Sequence, residues 1–289
     1  MTDLIIGIGE ILWDVFPQGK VLGGAPANFA FHVSQLGLNG CAVSAIGNDE
    51  LGKEILHVLD EKRLNTHIEK VNYPTGTVQV TLSGKGIPQY EICEGVAWDN
   101  IPFSDELETM AKRTKTVCFG SLAQRSAVSH ATINKFLDSV PADAMKIFDI
   151  NLRQHFYSKA LIDESLKRCN VLKINDDEVV LVSNLFGWNG MTETETAARL
   201  MQDYKLDIVV LTKGTEGSYV FTPAETSFLP TPLVEVADTV GAGDSFTAGF
   251  VASLLKGKSI SEAHRKAVEI SAYVCTQHGA MPLLPDSLI

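Results

Sequence analysis

Short apolar runs alternate with amphipathic, helix-compatible stretches along most of this 289-residue chain, and that order constrains the fold more than any other feature. "LIIGIGEIL" at residues 4–12, "CAVSAIG", "TVCFGSLA" and "KIFDIN" are brief, apolar and often bounded by small or polar residues, as strands buried on both faces are; "VLKINDDEVVLV" continues the series, and "LDIVVLTKGTEGSYVF" supplies a strand, a Gly-rich turn and another strand. Between the first two lies "GGAPANFAFHVSQLG", where Pro26 suits a first helical turn and Gly37 stops the helix after Leu36. "DELGKEILHVLDEKRLN" puts Leu51, Ile55 and Leu59 at near-helical spacing, and further helices are expected around 129–139 and 159–169. Strand and helix in repeated succession predict a mostly parallel sheet covered by helices, with ligand-binding loops at the carboxyl ends of its strands.

The alternation breaks once. "TVQVTLSGKGIPQYEICEG" reads as two strands around a Ser-Gly-Lys-Gly turn, which predicts a small sheet inserted into one large domain. The expected division is 1–14, 23–74 and 99–289 for the large domain, and 15–22 and 75–98 for the small sheet. "PAETSFLPTPLVEVA", with Pro223, Pro230 and Pro232, is expected to be a loop crossing the domain.

Acids outnumber basic residues 35 to 24, and no Lys/Arg cluster could neutralise a nucleic-acid backbone, so nucleic acid is a poor partner. A metal-phosphate complex remains compatible with that balance, because the ion brings its own positive charge. Five scattered cysteines without a CxxC pair indicate neither a disulfide framework nor a thiolate zinc site. With no basic, apolar leader and no run of membrane-spanning length, a cytoplasmic protein without a membrane partner is the expectation.

"DTVGAGDSF" places Gly241, Ala242 and Gly243 before Asp244 and an apolar helical segment carrying Phe246, Phe250 and Leu254. Small residues leave successive backbone amides accessible, and the first turn of a helix has amides without intrahelical acceptors, so an anion fits there. A carboxylate beside an anion cradle suits phosphoryl transfer: it takes the proton of an attacking hydroxyl while amides stabilise the transferred group. The same residues also suit a tight loop and a capped helix. Other nucleotide motifs fail: "KGKS" has Ala252 where GxxxxGK[ST] needs glycine, and "GIGEIL" has Leu12 where GxGxxG needs its last one.

"GGAPANFAFHVSQLG" and "DTVGAGDSFTAGF" together resemble the two motifs of the ribokinase-like family of sugar and nucleoside kinases, a similarity of layout that covers essentially the whole chain. The resemblance implies a three-layer α/β/α sandwich with a mostly parallel central sheet and a small β-sheet lid. It also implies that Asp244 is the catalytic base, that Gly241, Ala242 and Gly243 form the anion hole, and that Asp14, Gly24 and Asn28 contact the sugar. A carboxylate that accepts and an amide that both donates and accepts suit a polyol. "FDINLR" resembles the DxNxR segment of the fructokinase branch, with Asp149, Asn151 and Arg153 facing the cleft and Arg153 free to meet sugar or phosphate.

By the same resemblance Asn175 and Glu178 of "KINDDE" lie near the metal-phosphate region, Glu178 reaching magnesium through water. Thr212, Lys213, Gly214 and Gly217 of "LTKGTEGSYVF" lie on the nucleotide side. Asp238 matches the acid of a possible monovalent-cation site, a K+ site in kind, although His278 stands where fructokinases often carry proline. The implied reaction uses ATP and Mg2+ to phosphorylate D-fructose to fructose 6-phosphate. Ribose, 2-keto-3-deoxygluconate and nucleosides remain alternative acceptors, a sugar- or nucleotide-responsive interaction protein is the non-enzymatic alternative, and a homodimer through the lid is a family-based expectation. Lid residues Gln89, Tyr90 and Glu91 are candidates for tuning that choice.

Overall fold

The computed structural model describes residues 3–82 and 88–289. The chain begins with β1 (Leu4–Ile8), β2 (Leu12–Phe16), β3 (Gly19–Gly23), α1 (Ala25–Gln35), β4 (Gly40–Gly47), α2 (Glu50–Glu61) and β5 (Asn65–Val71). It continues through β6 (Gly76–Leu82), β7 (Pro88–Ile92), α3 (Asp105–Ala111), β8 (Thr114–Phe119), α4 (Ala127–Ser139), β9 (Met145–Asp149), α5 (Lys159–Arg168) and β10 (Val171–Asn175). The last third holds α6 (Asp176–Phe186), α7 (Glu193–Tyr204), β11 (Ile208–Thr212), β12 (Ser218–Phe221), β13 (Thr226–Leu229), α8 (Ala242–Leu255) and α9 (Ile260–Cys275).

Nine strands form the main sheet in the order β13-β12-β11-β10-β9-β8-β1-β4-β5, and only the β11-β12-β13 meander is antiparallel. The chain builds outward from β1 to β4 and β5, then returns to β1's other side with β8. The switch point between β1 and β8 is therefore where a ligand crevice is expected, at the strands' carboxyl ends. Side chains alternate across the sheet. Ile6, Ile8, Val117, Phe119, Phe148, Leu172, Ile174 and Val209 meet one core with residues of α3 to α7, while Ile5, Cys118, Ile147, Val171 and Val210 meet Phe29, Phe246, Phe250 and Ala267 of α1, α8 and α9.

A separate four-stranded sheet has the order β3-β2-β6-β7. The apolar run at residues 4–12 is thus not one strand. β1 ends at Ile8, Gly9 adopts φ 151°, and the chain crosses into the small sheet, so Asp14 lies within β2 rather than at the end of β1. The β2-β3 hairpin runs over 12–23, wider than the expected 15–22. β6 and β7 pair antiparallel as expected, and the Ser-Gly-Lys-Gly turn between them lies outside the described residues. The proline-rich stretch after Phe221 is not wholly loop: Thr226–Leu229 adds β13 at the sheet edge, bounded by Pro223 and Pro230, residues tolerated at edges. Among the described residues no helix is long and apolar enough to cross a membrane.

The helix α1 starts as its sequence predicts, with Pro26 in the first turn and Leu36 as its C-cap before Gly37 at φ 76°. It crosses β1 so closely that a β-carbon on Gly7 would lie 2.1 Å from the Pro26 carbonyl oxygen. Gly7→Ala is therefore expected to lower the thermal unfolding midpoint, at a cost of about 1–3 kcal/mol for forced repacking. An unchanged midpoint in calorimetry would contradict so close an approach.

Candidate active site

At the amino end of α8, Gly241 is the N-cap in the left-handed conformation, φ 77°. A β-carbon there would meet Ala280 at 2.7 Å, so glycine is needed on both conformational and steric grounds. Ala280 is held in turn by α1, whose buried His32 donates from Nε2 to the Ala280 carbonyl at 2.9 Å. Burial pushes the His32 pKa down to about 4, so the ring stays neutral. Asp238 closes the loop from the other side, its oxygens accepting from the Val240 amide at 3.0 Å and the Gly279 amide at 3.1 Å. Both carboxylate oxygens of the proposed cation ligand thus brace the cradle. Among the described residues no group of three His, Cys, Asp or Glu side chains could hold a metal ion.

Asp244 occupies the first turn of α8, partly buried, where the first-turn amides lack intrahelical acceptors. Asn28, buried on α1, donates from Nδ2 to Asp244 Oδ2 at 2.7 Å, joining two of the expected site residues across 216 positions. The Asn28 Oδ1 atom is buried without a partner among the described residues. Burial pushes the Asp244 pKa up to about 6 and Asp149 pushes the same way, while the Asn28 bond, Lys173 and Arg153 pull it down. Arg153 is exposed, donating to the Leu152 carbonyl at 3.0 Å, and its charge also acts on Asp14, whose pKa burial raises to about 6. The Asp14 carboxylate lies over Gly23, while the space beside Gly24 is filled by the Glu10 carbonyl, 2.5 Å from a built β-carbon. Gly24, at φ 122°, thus lets the β1-β2 link pass.

The loop after β9 turns sharply, with Asn151 at φ 47° and Gln154 at φ 48°. Glu178 fixes it to α6: Oε1 accepts from the Leu152 amide at 2.9 Å and Oε2 from the Asn175 amide at 3.0 Å, while Asn175 caps the helix by accepting from the Glu178 amide at 2.8 Å. Asn175 and Thr212 are register partners at the ends of β10 and β11. Lys213 beyond them is not a free cation, since Nζ meets Glu216 at 2.6 Å and Glu193 at 2.9 Å, and these partners hold its pKa above the ordinary value. Gly214 turns at φ 48°, and Gly217, at φ 141°, packs against Leu229.

Beside Asp149 and Asp244, Glu10 and Lys173 are buried charges that had no place in the sequence reading. Glu10, 3% exposed, follows β1 and lines a small pocket with Asp149, Asp244 and Cys118. Lys173, on β10, pairs with Asp149 at 3.1 Å. A lone lysine within "VLKIN" and an acid inside "GIGEIL" were the available signals.

The profile of the pfkB family carbohydrate kinases matches residues 9–287. The chain belongs to that family. An ATP-dependent 6-phosphofructokinase of Thermoanaerobacterium thermosaccharolyticum is 29% identical, covering 98% of this chain and 91% of that protein. The fructokinase of Salmonella typhimurium is 27% identical, over 96% and 95%. Among solved structures, a sugar kinase of Pyrococcus horikoshii superposes with a TM-score of 0.83 at 27% identity over 96% and 93% of the two chains. Fructokinase with bound ATP from Xylella fastidiosa reaches 0.84 at 20% identity over 99% and 96%, a likeness of fold. The ribokinase-like fold is thereby established, and the protein is an ATP-dependent carbohydrate kinase.

Burial raises the Glu10 pKa from 4.5 to about 7, its own amide pulls the other way, and Asp244 adds to the rise. A carboxyl raised on folding favours the fold fully only below pH 4.5 and loses that contribution as pH climbs through 7. Glu10→Gln, which mimics the protonated acid, is accordingly expected to unfold later than the parent at pH 8, by at most about 3 kcal/mol. The gain should vanish below about pH 4.5. Equal midpoints at pH 8 would place Glu10 in a more polar setting.

Proposed function

We propose that this kinase phosphorylates D-fructose on its 6-hydroxyl, with Asp244 as the base. The observation that carries the reading is the Asn28–Asp244 contact at the amide end of α8, which brings a sugar-binding type of side chain, a carboxylate and an anion cradle to one point. The sugar lies beneath the small sheet, held by Asp14, Asn28 and Arg153 around Gly24. Asp244 takes the proton from the attacking hydroxyl as that oxygen bonds to the γ-phosphorus and the bond to the ADP oxygen breaks. The amides of Gly241 and Gly243 face the charge that develops on the transferred group, and the Ala242 amide would join them by giving up its 3.3 Å bond to the Thr239 carbonyl.

The small sheet acts as a lid that excludes water and favours sugar over hydrolysis. Asn175, Thr212, Gly214 and Gly217 border the nucleotide, with Lys213 nearby in its acidic pairs. Glu178 and Asn175 would hold magnesium through its waters, where the ion would supply positive charge to offset that of the phosphates. Asp238 and the 276–279 turn would border K+. Two copies pair through the outer face of the lid. Fructose is favoured by relatives named fructokinase from Salmonella typhimurium and Arabidopsis thaliana. Fructose 6-phosphate is a second reading, because a relative named 6-phosphofructokinase is 29% identical and the exposed Arg153 guanidinium suits a phosphate.

A coupled ADP-release assay with fructose, fructose 6-phosphate, ribose, 2-keto-3-deoxygluconate and adenosine separates the acceptors, and fructose is expected to give the highest kcat/KM. Asp244→Asn should lower kcat by about 100- to 10,000-fold with sugar affinity largely kept. Turnover near that of the parent would remove Asp244 from the chemistry.

A further inference from the structure

Alternation along the strands puts Asp149 on the face of Ile147 and Lys173 on the face of Val171, the face that α8 covers. The two are direct register partners on neighbouring parallel strands, and their side chains form an ion pair 3.1 Å long that is almost wholly buried. The second Asp149 oxygen lies 3.0 Å from Thr247 Oγ1, which is also 3.0 Å from the Gly243 carbonyl. Thr247 stands about one helical turn after Asp244, so the pair grips α8 directly beneath the base. Residue 243 presents the other contact. Its backbone is ordinary helix, yet a β-carbon would lie 2.9 Å from Lys173 Nζ and 3.7 Å from Cε.

We propose that Lys173 is a positioning residue for phosphoryl transfer: paired with Asp149, its ammonium supports the Gly243 turn of the anion cradle from below and sets the charge that Asp244 feels. The inference rests on Asp244 as the base. A buried ammonium without partners would lose its proton, but Asp149, Glu178 and Asp244 outweigh burial and keep Lys173 charged. The groups acting on Asp244 or lining its pocket are Asn28 from α1, Glu10 from the β1-β2 link, Cys118 from β8, Asp149 from β9, Arg153 from the loop after β9, and Lys173. Lys173 is the only one of these cations that is buried, Arg153 being exposed. Glycine at 243 is thereby explained by the lysine, because an alanine would displace Nζ.

The test compares the parent, Lys173→Met, the double variant D149N/K173M and Asp244→Asn in steady-state kinetics from pH 5 to 9, with folding followed by thermal unfolding. Lys173→Met should lower kcat about tenfold or more, as loss of support for an oxyanion donor does, while sugar KM changes less than about threefold. Its acid limb should move up by about one pH unit, since removing a nearby positive charge makes Asp244 hold its proton more tightly. D149N/K173M removes both buried charges, which folds more safely than leaving one unpaired. Its acid limb should return to that of the parent or below, with kcat still reduced. If Lys173→Met does not fold, the kcat of the double variant decides alone. Parent-like kcat and pH profile in the folded variants would overturn the proposal, as would a lower melting point without either kinetic change. An active Asp244→Asn would instead overturn the base assignment on which it rests.

Discussion

A parallel sheet covered on both faces leaves its charged residues no water to turn to, so each must find a counter-charge inside the fold or surrender its own charge. At the carboxyl ends of β1, β9 and β10 this protein gathers Glu10, Asp149 and Asp244 about one small pocket, with the buried Lys173 under the influence of Asp149, Glu178 and Asp244. The switch point makes that gathering possible, because the chain leaves β1 in one direction and returns beside it with β8. The excess of acid is resolved unevenly. Asp149 is paired with Lys173, while burial pushes Glu10 and Asp244 towards protonation.

The cradle at α8 depends on a chain of supports that reaches well beyond the glycines. His32 holds the Ala280 carbonyl, Ala280 packs on Gly241, and Asp238 ties the preceding loop to Gly279. Each support is a short, specific contact between segments distant in sequence, so the amides are fixed before any anion arrives. The proposed transfer needs donors held in this way, which stabilise developing charge without reorganising during the reaction.

Much of this was legible in order and composition. The strand-helix alternation gave the sheet, Pro26 and Gly37 marked α1, and the glycines before Asp244 marked the start of α8. Asp14 was misplaced because apolar character continues through Ile11 and Leu12 after the backbone has left the main sheet. β13 was missed because its flanking prolines read as loop, whereas an edge strand needs ladder bonds on one side only. The pairing of Lys213 with Glu193 was not legible because Glu193 comes from a helix twenty residues earlier in the chain.

The sequence by itself determined the alternating architecture, the helix starts and the placing of three small residues before an acid, because these follow from local periodicity and backbone freedom. Only the tertiary structure decided that Asn28 touches Asp244, that Lys173 lies under Gly243, and that Glu10 is sealed beside them. Those are through-space facts about residues far apart along the chain. Sheet register and helix packing, rather than any local pattern, bring their charges close enough to act on one another.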